Sequence, residues 1–513
     1  MARRAQPVAA CGAAGFVAAL TLLPLAIVAW RAGGAFSLGA GDVAAIRFTL
    51  LQAMLSALLS VGLAIPLARA LARRRFPGRA LLITLLGAPF IVPVIVAVLG
   101  LLAIYGRSGL VGTSAGALGL DWPGIYGITG VVLAHVFFNL PLATRLILHG
   151  WLEIPAERFR LAASLGFRPR DIFRELEWPM LRAVVPGAAM LIFLICTTSF
   201  AVALTLGGGP RATTVELAIY QAFLFEFDLG RAAVLATIQF AITGAAAALA
   251  LALARQAVLG AGLDRPVRRW DAAQYGLRLQ DGVVIVLGAL FLILPLGAIV
   301  LRGMPNLVDL PNTVFLAAAR SCLVAGLSAG LTILVGLALA DGARRVRAFE
   351  AVGYLGIAAS PLVIGTGLFL LLFPIADPAR VALPVTIVVN AALSLPFALR
   401  ALSPALAEVE ARHGRLADAL GLTGWARWRW LLLPRLRRPI GFSAGIAAAF
   451  SLGDLGVIAL FADAENATLP LQIYRLMAAY RMDDAAGAAL LLLALALAAF
   501  WICDRGARAN AAV

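Results

Sequence analysis

The chain has 513 residues, of which 62% are hydrophobic and 13% charged, with a formal net charge of +16. Soluble proteins are only about half apolar, so this composition excludes a soluble enzyme or nucleic-acid binder and specifies an integral membrane protein. All 42 basic residues are arginine and there is no lysine.

Apolar runs of spanning length, roughly 20 residues each, lie at about 8–30, 47–68, 80–104, 125–144, 184–206 and 232–254. A second set follows at about 282–301, 314–340, 350–373, 381–399, 440–461 and 485–503. The runs are continuously apolar instead of alternating, which excludes barrel strands. The expected fold is an all-α polytopic membrane protein of about 12 transmembrane helices, arranged as two six-helix pseudo-symmetric repeats, 1–264 and 265–513. The first run opens on Arg3-Arg4 as a signal sequence would, but it is long enough to span and no small-x-small cleavage site follows. It is expected to remain as the first helix.

The arginines decide the topology. Thirty-two of them fall at the termini or in alternate connections, and only ten in the others. The positive-inside rule then places both termini in the cytoplasm. The basic charge therefore reports topology, and no nucleic-acid partner is expected. Cys11, Cys196, Cys322 and Cys503 are scattered without metal-type spacing, so neither a disulfide framework nor a metal site is expected.

Two connections, about 145–183 and 400–439, are long and rich in arginine, and loops of that length commonly carry function. They contain the centre of an internal repeat. Asn139-Leu140-Pro141, Arg145, Leu161-Ala162, Leu165-Gly166, Pro179 and Arg182 recur 255 positions later. The second set is Ser394-Leu395-Pro396, Arg400, Leu416-Ala417, Leu420-Gly421, Pro434 and Arg437. In each copy 13 positions separate the glycine from the later proline. Pro155 early, Phe159, Ala162 and Leu165 at helical spacing, and a closing Gly166 predict a short amphipathic helix lying across the cytoplasmic face. The second copy ends in the same way, with Gly414 expected to shorten or bend its approach. Such a helix rests either on lipid headgroups or on a partner; repetition at fixed spacing argues for two equivalent docking sites.

At this element the chain resembles the permeases of ATP-binding-cassette importers, whose cytoplasmic loops carry an Ala-Ala-x-x-Gly motif with a proline 13 positions on. The resemblance covers both halves and implies the type I importer permease fold. It also implies two copies of a separate ATPase subunit, a periplasmic substrate-binding protein, surrounding membrane lipid, and a place in the bacterial inner membrane. The ATPase contacts it implies are Ala162, Ala163, Gly166 and Pro179, with Ala417, Gly421 and Pro434 in the second copy. The usual leading glutamate of the motif is Leu161 here and Leu416 in the second copy, so no acidic contact carries over. Arg73-Arg74-Arg75-Phe76-Pro77-Gly78-Arg79, Tyr105-Gly106-Arg107, and the runs 134–141 and 206–222 resemble the fused permease of bacterial thiamine and thiamine-pyrophosphate importers. Ser451 to Val457 and Thr468-Leu469-Pro470 extend that likeness into the second half. Ferric-iron importers share the fused architecture and remain an alternative.

An ATPase phosphate loop needs a lysine, and the chain has none. No cofactor is expected on the chain itself; ATP and Mg belong to the partner ATPase. Gly207-Gly208-Gly209-Pro210-Arg211 reads as a helix stop and turn, or as a gate or binding-protein surface with Gly208, Arg211, Glu216 and Tyr220. Polar residues at membrane depth tend to mark pathways, which makes Thr197, Thr198, Ser199, Ser451 and Asp454 the pathway candidates. Asp454 pairs with Ser199 across the repeat and either faces the pathway or bonds backbone at a helix break. His135 is expected to bridge two helices. The rival from another class is an ion-coupled secondary transporter, which also commonly contains repeats but gives the paired cytoplasmic loops no role.

Overall fold

The computed structural model describes residues 8–33, 38–87, 91–207, 209, 212–253, 274–357, 360–463 and 465–509. The proposed boundary between the halves at 264/265 lies outside these residues, as do Gly208 and Arg211. Among the described residues there are helices and no strands.

The first half comprises α1 Val8–Gly33, α2 Ala40–Arg73, α3 Arg79–Leu85, α4 Val94–Tyr105, α5 Leu110–Ala117 and α6 Ile128–Leu152. It continues through α7 Ala156–Ser164, α8 Pro169–Ile172, α9 Trp178–Thr197, α10 Phe200–Leu206, α11 Val215–Leu224 and α12 Leu229–Leu253. The second half comprises α13 Tyr275–Gly303, α14 Asn312–Ala343, α15 Ala348–Gly353, α16 Pro361–Leu372 and α17 Pro378–Ala419. It ends with α18 Gly424–Arg427, α19 Leu433–Gly453, α20 Gly456–Phe461, α21 Leu469–Ala478 and α22 Met482–Ala509.

Eleven helical stretches among the described residues are long and apolar enough to cross a membrane. The expected third and ninth runs differ from continuous spans. The third is split between α3 and α4, and the ninth between α15 and α16. Proline explains both breaks, because it removes a backbone donor and pushes the preceding residue out of the helical region. Pro93 caps α4, and Pro361 opens α16 behind an extended Ser360 at φ −70° and ψ 154°. The 255-residue register holds from α6 through the helix breaks after α9 and α19 and becomes 254 at α11, where Thr214 and Thr468 both cap the helix; before α6 the halves are offset by more, because α5 and its flanking turns separate α4 from α6 only in the first half.

The first helix of each half crosses onto the other half. Helix α1 packs on α14, α15 and α16, while α13 packs on α2, α4 and α22. Both crossings place a helix proline over a glycine. A Cβ on Gly100 would lie 2.5 Å from the Pro295 carbonyl oxygen, and one on Gly367 would lie 2.4 Å from that of Pro24. Lipid offers no hydrophobic gain for helix association, so close backbone approach at small residues supplies the packing. The buried face of α2 toward α6 follows the same rule with Ala53, Ser56, Ala57, Ser60 and Ala64.

The second long, arginine-rich connection departs from expectation. Helix α17 runs 42 residues without a break, and Gly414 is buried inside it instead of bending it. In the first copy Pro155 stops α6 and starts α7 as a separate helix; the repeat places Glu410 at that position, which lets the helix continue.

Candidate functional site

The helical elements of both arginine-rich connections end in the same backbone device. Gly166 and Gly421 adopt left-handed φ values of 68° and 67°. The Gly166 and Phe167 N–H groups donate to the Ala163 and Ala162 carbonyls at 3.1 and 3.0 Å, and those of Gly421 and Leu422 donate to Asp418 and Ala417 at 3.1 and 2.9 Å. This is a Schellman cap, which favours glycine at the left-handed position. Ala162 and Ala417 are buried beneath the cap, whereas Ala163, Gly166 and Gly421 are exposed. The outer face also carries Leu161 with Leu165 and Leu416 with Leu420, pairs spaced to share one helix face and 59–66% exposed. Leu165, expected on one apolar face with Phe159 and Ala162, is instead exposed beside Leu161, away from those buried residues; the repeat of Leu161 and Leu165 as Leu416 and Leu420 is the sequence signal for this exposed pair.

The fixed distance from glycine to proline has its own cause. Phe173–Glu177 and Trp428–Leu432 are single π turns, in which the Trp178 and Leu433 N–H groups reach back to the Phe173 and Trp428 carbonyls. Pro179 and Pro434 follow directly and lack the N–H that an α turn would use. The wider turn absorbs the missing donor as the chain enters α9 and α19.

Ion pairs tie these loops to the body, differently in each half. Arg69 Nε lies 2.7 Å from Glu177 Oε2, and its guanidinium sits 5.0 Å from the centre of the Phe173 ring. In the second half Glu410 receives Arg344 at 3.2 Å and Arg427 at 2.5 Å, and Arg427 also holds Asp418 at 2.6 Å. Arg73 and Arg74, at the end of α2, grip the buried Asp281 of α13 at 2.7 Å each, joining the two halves.

From the loops, α9 and α19 lead away for about 30 Å at 1.5 Å per residue and then break. The breaks are at Thr198-Ser199 and at Asp454-Leu455. The pathway candidates lie in and beside these breaks. Buried Thr197 accepts the Gln239 side-chain N–H on its carbonyl at 2.7 Å, and half-buried Thr198 donates to the Ile195 carbonyl at 3.2 Å. Ser199 is half-buried and caps α10 without a side-chain hydrogen bond. Ser451 donates to Ser328 at 3.2 Å and accepts from Asn390 at 3.1 Å. Asp454 Oδ1 accepts the Gly456 N–H at 3.2 Å, as a backbone-bonding residue at a break would, while its buried Oδ2 has no hydrogen-bond partner.

Beyond the breaks an aromatic seam closes the halves against each other. Phe223 meets Phe369 at 5.0 Å, Phe227 meets Phe373 at 5.7 Å, and Phe369 meets Phe461 at 5.5 Å. Tyr220 stacks obliquely on Phe200 at 5.2 Å. Glu216 and Tyr220 are buried, at 0% and 6% exposure, so they present no surface to a docking protein in this conformation and belong to the seam. His135 forms the expected bridge, with Nδ1 3.3 Å from Ser56 Oγ on α2. No cluster of histidine, cysteine or carboxylates suited to a metal occurs among the described residues.

No protein-family model matches the chain. Curated relatives do. The chain is 42% identical to the thiamine transport system permease protein ThiP of Brucella abortus, over 98% of its own length and 95% of the relative's. It is 38% identical to the ThiP of Escherichia coli, covering 90% of this chain and 88% of that one. It is 35% identical to the ThiP of Haemophilus influenzae, covering 88% and 86%.

Proposed function

The chain belongs to the family of thiamine transport system permease proteins, and on that premise we propose that it forms the membrane pathway of an ATP-driven thiamine importer. The observation that carries the coupling part is the duplicated cytoplasmic cap, Gly166 and Gly421 with their exposed leucine pairs. Two equivalent docking elements call for two ATPase subunits, which bring ATP and Mg. The chain, lacking any lysine, has no phosphate loop of that kind. The pathway opens through the breaks at Thr198-Ser199 and Asp454, and Thr197, Ser451 and their partners hold those breaks in place.

ATP acts only through unequal affinity for the two conformations. Closure of the ATPase pair draws the two caps together, and α9 and α19 carry that movement to the aromatic seam. A periplasmic binding protein then releases thiamine, or its pyrophosphate, into the opened seam. The arginine distribution supports cytoplasmic termini in an inner membrane. The test is reconstitution with the ATPase and binding protein in proteoliposomes, comparing thiamine, thiamine pyrophosphate and ferric iron. ATP hydrolysis stimulated by loaded binding protein and coupled to thiamine uptake is expected; stimulation by iron alone refutes the substrate, and uptake driven by a proton gradient without ATP refutes the coupling.

A further inference from the structure

At the seam, buried polar groups lack partners where a folded protein ordinarily supplies them. Glu216 is 0% exposed, beside Ser360 and Gln239, yet neither of its carboxylate oxygens has a hydrogen bond of good geometry. The Gln239 side-chain oxygen and Asp454 Oδ2 likewise lack a hydrogen bond of good geometry, with Asn390 and the Val457 and Ile458 N–H groups beside Asp454. These positions are contiguous. Ser360 precedes Pro361, whose ring lies 3.5 Å from a Cβ placed on Gly456, and Gly456 donates its N–H to Asp454. Glu216 comes from the first half and Asp454 from the second. Neither is duplicated: the repeat places Pro470 opposite Glu216 and Ser199 opposite Asp454. No arginine among the described residues forms an ion pair with either acid.

We propose that Glu216 and Asp454 form a two-sided carboxylate site for a small aromatic cation crossing the seam. Two acids at membrane depth without a paired arginine are costly in a closed protein. A cation between them offsets that cost, and the neighbouring rings of Phe200 and Tyr220 add a favourable aromatic face for it. In the closed seam Phe200 lies against Gly456, where a Cβ would be 3.9 Å from its Cδ1. Parting the halves separates Glu216 from Asp454 and admits a ring between them. This inference rests on the thiamine reading: thiamine carries a permanently cationic thiazolium ring.

The test uses the full transporter in proteoliposomes with Glu216→Gln, Asp454→Asn and the double variant, alongside Glu216→Asp and Asp454→Glu. Three quantities are read: thiamine uptake, ATP hydrolysis stimulated by loaded binding protein, and the apparent Tm of the purified permease. The neutral variants are expected to lose at least about tenfold in uptake, a change worth about 1.4 kcal/mol, while keeping an equal or higher Tm and stimulated hydrolysis. The variants that keep the charge should recover a substantial part of the uptake. Wild-type uptake in the neutral variants overturns the proposal. So does a lowered Tm together with failure of the charge-preserving variants, which marks a packing role. Absence of thiamine uptake by the wild-type transporter overturns the parent reading instead.

Discussion

Removing Asp281 should loosen the swapped helix α13 from the first half more than any exposed substitution on that helix. The Arg73 and Asp281 side chains are 2% and 3% exposed and meet at 2.7 Å, with Arg74 on the second oxygen. Charges about 4 Å apart at an effective dielectric near 20 attract by about 4 kcal/mol. Breaking a buried pair from one side costs about 3–5 kcal/mol, because the remaining charge stays in the interior. Asp281→Leu should therefore lower the apparent Tm of the detergent-purified protein sharply. The triple variant Asp281→Leu, Arg73→Met, Arg74→Met should recover most of the loss, since a packed apolar replacement avoids the stranded charges. The assay is the temperature at which half of the monodisperse peak is lost in size-exclusion chromatography. A single variant as stable as wild type, or a triple variant no better than the single, would refute the assignment of Asp281 as the anchor of α13.

Three further outcomes follow from backbone and packing. Gly166→Val and Gly421→Val should each cost about 1–2 kcal/mol of local stability through the left-handed φ alone, because a Cβ there has nothing within 4 Å; Asn should be milder, and ATPase pull-down with uptake reports the order. Gly100→Ala and Gly367→Ala should each cost about 1–3 kcal/mol by overpacking against Pro295 and Pro24, seen as a lower Tm, whereas Gly116→Ala, in open space, should not. Glu410→Ala removes the carboxylate shared by Arg344 and Arg427, so limited proteolysis within 411–432 should accelerate without a matching change at 156–177.

Much of the frame was legible because membrane insertion writes itself into composition. The spans, the all-helical class and the paired loops rest on apolar length and on the 255-residue repeat, which the structure reproduces down to equal φ values at Gly166 and Gly421. The breaks at Pro93 and Pro361 were less legible, since an apolar run scores as continuous whether or not a proline interrupts its hydrogen bonds. The tail of α17 is not legible from Gly414, which suggests a bend, because the residue that decides the matter is Glu410 in place of Pro155. From the sequence Glu216 reads as a gate or binding-protein residue because it follows the glycine-rich turn; only packing reveals that α11 turns inward beneath the seam.

The halves divide their residues by task. In the proposed mechanism the parts that transmit movement are duplicated: the Schellman caps, the π turns before Pro179 and Pro434, and the proline-on-glycine crossings of α1 and α13. A pseudo-two-fold machine needs equal levers if two identical ATPase subunits pull on it. The seam chemistry is unequal, with Glu216 opposite Pro470 and Asp454 opposite Ser199. A two-fold site would present the same groups to both ends of its ligand, whereas thiamine has a charged ring at one end and a neutral one at the other. Symmetrising the seam by Ser199→Asp should therefore add a carboxylate without improving transport, while symmetrising it by Asp454→Ser should reduce uptake with ATPase assembly intact. Equal uptake in both variants would mean that selection of the substrate lies outside the seam.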